Sequence, residues 1–250
     1  MLSIKNLNVI FSEGNPDENM ALNNFSINID DGDFVTIVGS NGSGKSTLFN
    51  VISGNIKSNS GKIFMNNKII NNEKEHQRAK YISRLYQNPS LGVSPNLSVM
   101  ENLAIAYKSK ERIPFLNAIT KKKKLYFTSF LDDFNKNLGS RMNTKVKFLS
   151  GGERQSLSLL MATINKPKLL LLDEHTAALD PKKQKEIMSL TESIISKNKI
   201  TTLMITHSIN DALNYGNKLL VLEKGKIIAF FNEKEKNNLS KKDVLNLYSI

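Results

Sequence analysis

The sequence contains no cysteine, which excludes disulfide bonds and thiolate metal sites and leaves the compartment to be argued from other features. No apolar run approaches the roughly 18 residues that a membrane-spanning helix requires. The N-terminus lacks the apolar core of a secretory signal, and the chain carries neither an internal repeat nor a low-complexity linker. We therefore expect a soluble, cytoplasmic polypeptide that acts at a membrane only through a partner.

The sequence has fewer acidic than basic residues. With 35 Lys and Arg and 23 Asp and Glu, its formal net charge is +12. Much of the excess lies in the run Lys121-Lys122-Lys123-Lys124 and in the lysine-rich tail after Glu233. A solvated lysine surface, an anionic membrane face and nucleic acid are all compatible with this balance. No basic stretch alternates regularly with stacking aromatics, so charge alone does not favour nucleic acid.

The most informative stretch is a glycine-rich loop that fits the pattern G-x-x-x-x-G-K-[ST] without a mismatch. Its glycines let backbone N–H groups converge on phosphate oxygens, while Lys45 supplies a positive charge and Ser46 a hydroxyl ligand for Mg²⁺. A strand-like apolar run precedes the loop and a helical pattern follows it, which predicts nucleotide binding. The loop, here called the phosphate loop, consists of Gly39, Ser40, Asn41, Gly42, Ser43, Gly44, Lys45, Ser46 and Thr47.

Strand and helix patterns along the 250 residues predict an α/β fold. Residues 88 to 165 look mainly helical, with a capping box that begins at Ser98 and a helix from Phe127 to Gly139. Strands and helices alternate again from Lys168 onward, which predicts a doubly wound, largely parallel sheet with a helical lobe inserted into it. Alternation of period two near the N-terminus predicts antiparallel strands, at Leu2, Ile4, Leu7, Val9, Phe11, Phe25, Ile27 and Ile29.

Two acidic residues, Asp173 and Glu174, follow a run of four leucines. We expect them at the C-terminal edge of the sheet, where the sites of α/β proteins lie. Asp173 is suited to hold Mg²⁺ through water, and Glu174 to orient or deprotonate an attacking water. A pair of ordinary surface acids is the alternative. The phosphate loop favours the catalytic interpretation, because a Mg²⁺–nucleotide site needs a carboxylate on that edge.

A serine followed by two glycines, Ser150-Gly151-Gly152, opens another helical pattern and predicts a second anion-binding helix N-terminus. An ordinary serine N-cap with flexible glycines is the alternative. A chain with one phosphate-binding loop does not need another, so we expect this turn to serve the nucleotide of a different molecule.

In their order and spacing, these motifs resemble those of the ATP-binding subunits of ABC transporters over nearly the whole chain. The phosphate loop resembles the Walker A motif of that family, Leu169–Glu174 its Walker B motif and Leu149–Gln155 its signature motif. The remaining matches are Gln87 at the Q-loop, Ala178-Leu179-Asp180 at the D-loop and His207 at the switch histidine.

The resemblance implies a single ABC ATPase domain spanning residues 1–250. Its P-loop NTPase core, which is RecA-like, would comprise residues 1–87 and 166–250 and carry an N-terminal antiparallel β-subdomain. The helical subdomain would be residues 88–165. Two copies would bind head to tail around ATP and Mg²⁺, so that Walker A of each copy meets the serine-glycine turn of the other, with Ser150, Gly151 and Gly152.

The resemblance also implies roles for single residues. His207 would contact the γ-phosphate, Asp180 would join the nucleotide site, and Gln87 would sense Mg²⁺ and touch the membrane partner. Phe11, which the sequence alone leaves undecided between a core aromatic and an adenine-stacking one, falls where the family keeps its stacking aromatic. The expected catalytic residues are Glu174, His207, Lys45 and Gln87, and the expected metal-binding residues are Ser46, Gln87 and Asp173.

One subgroup of the family shares three further stretches, at 94–104, 159–163 and 173–181. The last of these carries His175, where the family usually has proline. Members of the subgroup work with a periplasmic-type binding protein and a permease, and some are assigned to tryptophan or tyrosine uptake. The resemblance therefore implies a peripheral subunit at the cytoplasmic face of the membrane that energises import of a small solute through a separate permease, with the binding protein as an indirect partner.

Two alternatives differ in class. An exporter cassette with a separate permease would carry the same motifs. A soluble ABC ATPase acting on DNA or ribosomes is disfavoured, because only about sixty residues separate Gln87 from the signature and because the chain carries one cassette rather than two.

Overall fold

Two β-sheets and a set of helices make up the protein in a computed structural model that describes residues 1–15, 18–88, 91–107 and 119–247. The strands are β1 Leu2–Phe11, β2 Asn19–Ile29, β3 Phe34–Gly39, β4 Ser60–Met65, β5 Lys68–Ile69, β6 Ile82–Leu85, β7 Leu169–Asp173, β8 Thr201–Ile205, β9 Lys218–Glu223 and β10 Lys226–Phe231. The helices are α1 Lys45–Ser53, α2 Glu75–Arg78, α3 Val99–Ala106, α4 Lys121–Phe134, α5 Lys136–Gly139, α6 Gly151–Thr163, α7 Pro181–Asn198, α8 Ile209–Asn214, α9 Glu233–Asn237 and α10 Lys241–Asn246. Within these ranges, none of the helices has both the length and the apolar composition to cross a bilayer.

The smaller sheet has the strand order β2-β1-β4-β5, and its pairs are antiparallel. Apolar residues alternate along β1 and β2, so that Leu2 faces Ile29 and Ile4 faces Ile27 in register. The register shifts between Ile4 and Leu7, where Asn6 adopts a left-handed conformation with φ of 48°. The antiparallel strands predicted near the N-terminus are therefore confirmed.

The larger sheet has the strand order β10-β9-β3-β8-β7-β6. Strands β9, β3, β8 and β7 pair in parallel, and β10 joins β9 in antiparallel orientation through a hairpin. Parallel strands point their carboxyl ends toward one edge of a sheet, so the residues that follow β3, β7 and β8 lie near one another. This edge is where the sequence predicts the site.

Two hydrophobic clusters cover the two faces of the larger sheet. Side chains from α1, the smaller sheet and one face of the larger sheet form the main cluster, which includes Leu48 and Ile37. A second cluster contains Val38 with Ala212 of α8 and Val244 of α10. Because neighbours along a strand point to opposite faces, Ile37 and Val38 belong to different clusters. Helices therefore pack on both faces, and the predicted doubly wound sheet is confirmed.

The chain forms two compact units. The first consists of Met1–Arg84, Lys168–Glu174 and Lys199–Ile250, and the second of Leu85–Pro167 and His175–Asn198. The second unit thus contains α7 in addition to the residues that the sequence suggests for a helical subdomain. The subdomain limits at 88 and 165 stay a prediction.

Inside the second unit, side chains from sequence-distant helices meet. Phe127 of α4 is buried and packs edge-on against the ring of Tyr107, with ring centroids 5.7 Å apart. Asp133 of α4 forms an ion pair of 2.7 Å with Lys197 of α7. The apolar spacing that predicts this helix from the sequence is thus the spacing of its buried face.

One local expectation requires adjustment. The helix predicted from Phe127 to Gly139 is broken at Asn135, whose side chain accepts a hydrogen bond from the backbone N–H of Leu138 and starts α5 as an N-cap.

Candidate active site

The phosphate loop joins the end of β3 to the start of α1. Gly44 is the N-cap of α1 at a φ of 97°, and a Cβ at this position would lie 2.3 Å from the carbonyl oxygen of Ala21. A Cβ at Gly39 would lie 2.2 Å from the carbonyl oxygen of Leu222. Neighbouring backbone therefore approaches the loop too closely for any side chain at these positions. Gly39 and Gly44 are therefore needed because neighbouring strands approach them closely, as well as for the backbone conformation of the loop itself.

Lys45, the lysine of the motif, is buried and donates hydrogen bonds of 2.8 Å to the carbonyl oxygens of both Gly39 and Ser40. Burial lowers the pKa of Lys45 below its usual value, and the negative charges of Glu174, Glu223 and Asp173 oppose that effect. The loop thus holds a cation under its own backbone, with carboxylates near enough to favour the charged form. An ammonium group in this position can bind phosphate oxygens.

Glu174 follows β7 directly and adopts a left-handed backbone conformation, with φ of 49°. Its backbone N–H donates to the carbonyl oxygen of Ile205, which ties the residue to the neighbouring strand β8. Its carboxylate oxygen Oε1 lies 2.6 Å from Nε2 of His207, and the side chains are 17% and 51% exposed, respectively. A non-glycine residue at positive φ is strained, and such strain concentrates at functional sites. The pair is close enough for His207 to orient the Glu174 carboxylate.

Asp173 ends β7, and its carboxylate accepts a hydrogen bond of 2.6 Å from Nη2 of Arg84. Nη1 of the same guanidinium donates to the side-chain oxygen of Asn50 in α1 at 2.6 Å. Arg84 therefore links β6, β7 and the helix that follows the phosphate loop. The sequence reasoning missed Arg84. The available signal is a charged residue inside a short apolar strand pattern, and such residues are seldom buried unless they are paired.

A magnesium ion, which the nucleotide chemistry implies, is compatible with the residues present. The Ser46 side chain is exposed at the start of α1, and hydroxyl and carboxylate oxygens are the hard donors that Mg²⁺ prefers. The described residues contain no cluster of three or more His, Cys, Asp or Glu that could hold a metal.

A cleft of about 240 Å³ opens above the phosphate loop. Phe11, at the end of β1, lies at this cleft and is 38% exposed, so it is not a core aromatic. Its ring is accessible for stacking. The lining residues are Phe11, Asn19, Ala21, Asn41, Gly42, Ser43, Gly44, Lys45, Ser46, Thr47, Glu174 and His207.

The serine-glycine turn belongs to the second unit, where Ser150 is the N-cap of α6. The Ser150 hydroxyl accepts from the N–H of Glu153, and the Glu153 carboxylate accepts from the N–H of Ser150 at 2.8 Å. A salt bridge of 2.7 Å to Arg141 holds that carboxylate. Ser150 is thus an N-cap, and among the residues that the structure describes no atom outside this turn and its helix comes within 4 Å of the position that a Cβ would take at Gly151. The turn leaves room for a ligand at this helix N-terminus.

Two further predicted residues also belong to the second unit. Gln87 is exposed. Asp180 caps α7, because its Oδ1 accepts hydrogen bonds from the backbone N–H groups of Lys182 and Lys183 at 3.1 and 3.0 Å. The first unit thus brings together the phosphate loop, Phe11, Asp173, Glu174 and His207, whereas Gln87, the serine-glycine turn and Asp180 lie in the second unit.

A strand, a phosphate loop, a buried lysine and carboxylates at the end of β7, which is separated from β3 by β8 in the same parallel sheet, together define a nucleoside-triphosphate site of the P-loop class. The chain belongs to the ABC transporter family, whose family model matches residues 22–177. A tyrosine transport ATP-binding protein of Clostridioides difficile is 45% identical over 245 residues, which cover 98% of this chain and 97% of the relative. An energy-coupling factor transporter ATP-binding protein, EcfA2 of Ligilactobacillus salivarius, is 32% identical over 94% of this chain and 80% of its own length.

Solved structures of ABC cassettes are similar over nearly the whole chain. The ADP conformation of the cassette MJ1267 aligns with a TM-score of 0.80 and 30% identity, covering 99% of this chain and 97% of that one. A dimeric post-hydrolysis state of the cassette MJ0796, bound to ADP and Pi, aligns with a TM-score of 0.74 and 27% identity, covering 93% and 99%. The predicted ABC ATPase fold is confirmed, and the protein is an ATPase that acts as the ATP-binding subunit of a transporter.

Proposed function

We propose that this protein energises the import of an aromatic amino acid, with tyrosine as the first candidate, through a separate membrane permease. The observation that carries the proposal is the near-complete alignment, at 45% identity, with a protein named for tyrosine transport. Similarity to a thiamine import ATP-binding protein of Photobacterium profundum, at 33% identity over 92% of this chain, supports import rather than export. An ATPase subunit does not itself select the cargo, so the permease carries the specificity.

In the proposed reaction, the phosphate loop binds the triphosphate and Lys45 contacts the β- and γ-phosphates. Glu174 takes a proton from the attacking water, and its partial exposure leaves the carboxylate accessible to water. His207, which lies 2.6 Å from Glu174, orients that carboxylate and reaches toward the γ-phosphate. Phe11 stacks on the adenine. Ser46 and Asp173 hold Mg²⁺, which when bound offsets negative charge on the phosphates.

The proposed assembly is a head-to-tail dimer in which the serine-glycine turn of each copy completes the phosphate site of the other. Support comes from the open space at Gly151 and from the dimeric state of the similar cassette MJ0796. Gln87 contacts the permease and senses Mg²⁺, and Asp180 joins the nucleotide site. The protein would then sit peripherally at the cytoplasmic face of the membrane and meet a binding protein only through the permease.

Hydrolysis and dimerisation are tested with Glu174→Gln. We expect ATP binding to persist while turnover falls by roughly 10²–10⁴, the range for a positioned general base. Light scattering should show that the variant shifts from monomer to dimer when Mg·ATP is added. Glu233→Gln is a matched control, because Glu233 is an exposed carboxylate in the first turn of α9 and does not line the cleft. Unchanged turnover in Glu174→Gln would place the base elsewhere.

The cargo is tested by reconstituting the protein with its permease and binding protein in vesicles. We expect tyrosine to stimulate ATP hydrolysis and to accumulate on the side of the membrane to which ATP is added. Leucine, an aliphatic amino acid used as the control, should do neither. An ATPase that responds to no aromatic amino acid contradicts the cargo proposal but leaves the ATPase assignment intact. Transport away from the side to which ATP is added would instead favour the exporter alternative.

A further inference from the structure

His175 is a titratable residue that the proposed mechanism does not use. It follows Glu174 directly in the sequence, and its side chain is only 2% exposed. Its ring nitrogen Nε2 lies 3.1 Å from the hydroxyl oxygen of Thr191, in the middle of α7. Both residues belong to the second unit. A buried polar side chain with one defined partner is a candidate for holding a segment in place.

The direction of this hydrogen bond follows from the partner. Thr191 has a single hydroxyl proton, which it donates to the carbonyl oxygen of Ile187 at 2.8 Å. Its oxygen can therefore only accept from His175, so the proton of the neutral imidazole is on Nε2. Burial lowers the pKa of His175 to about 4, in keeping with a neutral ring. The contact is thus a directed bond from Nε2–H to Thr191.

The loop that follows, residues 176–180, is tied to the same helix at its other end. Asp180 caps the first turn of α7 through the N–H groups of Lys182 and Lys183. Between the two ends, the N–H of Leu179 donates to the carbonyl oxygen of Thr176, and the Thr176 side chain is buried. The loop is therefore fastened to α7 on both sides, by His175 at its start and by Asp180 at its end.

We infer that His175 is a positioning residue for ATP hydrolysis, because its bond to Thr191 fixes the start of loop 176–180 on α7 and thereby the placement of Asp180. The inference rests on the proposed function, in which Asp180 belongs to the nucleotide site. A histidine that only fills space would act through its volume. A positioning histidine acts through the Nε2–H donor and the Thr191 hydroxyl.

Paired substitutions separate these two roles. Thr191→Val removes the hydroxyl at nearly constant volume, and Thr191→Ser keeps it. His175→Met removes the donor, whereas His175→Gln keeps an N–H donor near the position of Nε2. We expect Thr191→Val and His175→Met to lower kcat by roughly tenfold with little change in the KM for ATP, the scale seen for residues that act on a site without touching its ligand. Thr191→Ser and His175→Gln should remain close to wild type.

The double variant His175→Met/Thr191→Val completes a double-mutant cycle with the two single variants. If the two side chains act through one bond, its kcat should be no lower than that of either single variant. All assays are run well below the measured unfolding temperatures. The inference is overturned if His175→Gln loses as much kcat as His175→Met, or if the two single effects multiply. A wild-type protein that hydrolyses no ATP would contradict the proposed function instead.

A measurement on the wild-type protein keeps the test valid if a variant fails to fold. The chain has 3 histidines, so ¹⁵N-histidine NMR can resolve the tautomer of each. We expect His175 to carry its proton on Nε2, with slow exchange against solvent. A proton on Nδ1 would overturn the inference.

Discussion

Lys236 in α9 is a buried lysine whose ammonium, within the part of the chain that the structure describes, contacts neutral oxygens rather than a carboxylate. Its side chain is 2% exposed, and its ammonium donates to the carbonyl oxygens of Tyr215 and Gly216 at the end of α8 and to the hydroxyl of Thr36. Burial lowers the pKa of Lys236 from 10.5 to about 8. The titration of Lys236 should therefore contribute to the pH dependence of the free energy of unfolding.

The sign of this pH dependence follows from the number of protons that the folded and unfolded states bind. Between about pH 8 and 10.5, the folded protein has released the Lys236 proton while the unfolded chain still holds it. Because the unfolded state then binds more protons, the free energy of unfolding rises with pH across this window. Each pH unit contributes about 1.4 kcal/mol, so the whole window contributes roughly 3 kcal/mol.

The assay is urea unfolding of nucleotide-free protein, followed by circular dichroism from pH 7.5 to 10.5. Other lysines and tyrosines also titrate in this range, so we compare wild type with Lys236→Met. The stability of wild type relative to the variant should rise by roughly 3 kcal/mol as the pH increases. Lys234→Met is the matched control, because Lys234 lies on the same helix but is exposed, and its curve should run parallel to wild type. Parallel curves for wild type and Lys236→Met would refute the reasoning.

Three further predictions concern the nucleotide site. Lys45→Ala should weaken ATP binding by about tenfold to a hundredfold, the scale of a charge-assisted contact, and equilibrium titration with ATP measures it; unchanged affinity would contradict the role of Lys45. Phe11→Ala should weaken ATP by roughly tenfold and leave binding of inorganic tripolyphosphate unchanged, since only the base stacks; equal losses for both ligands would exclude stacking. In urea unfolding, Gly44→Ala should destabilise more than Gly32→Ala. Both residues have positive φ, where an alanine costs about 1–2 kcal/mol of stability. Of the two, only Gly44 is placed so that an added Cβ would meet the carbonyl oxygen of Ala21. Equal losses of stability in the two variants would mean that the structure relaxes around this contact.

Local sequence patterns predicted the elements whose contacts are themselves local. The capping box predicted at Ser98 joins residues three positions apart, and it is present in the structure. The strand–loop–helix unit around Lys45 spans the 20 residues from Phe34 to Ser53 and follows from glycine, lysine and apolar periodicity. The break at Asn135 was missed because the apolar spacing continues through it, while the side chain of Asn135 competes for the backbone.

Contacts between distant parts of the chain were decided by the tertiary structure. Arg84 and Asp173 are 89 positions apart, and Ser40 and Glu223 are 183 apart, yet each pair is joined by a hydrogen bond of 2.6 Å. The motifs indicated that Glu174 and His207 belong to one site, but not that their side chains would touch. Strand order brings these residues together, because neighbours in the parallel sheet are not neighbours in sequence.

The sequence by itself determined the class of site, since phosphate binding needs a particular short run of residue types and the family motifs occur in order along the chain. The tertiary structure alone decided which side chains meet there: Arg84 and Asp173, and His207 and Glu174. The physical reason is that a local pattern fixes local backbone geometry. A contact across strands or helices exists only once the sheet order and the packed helices have closed the intervening loops.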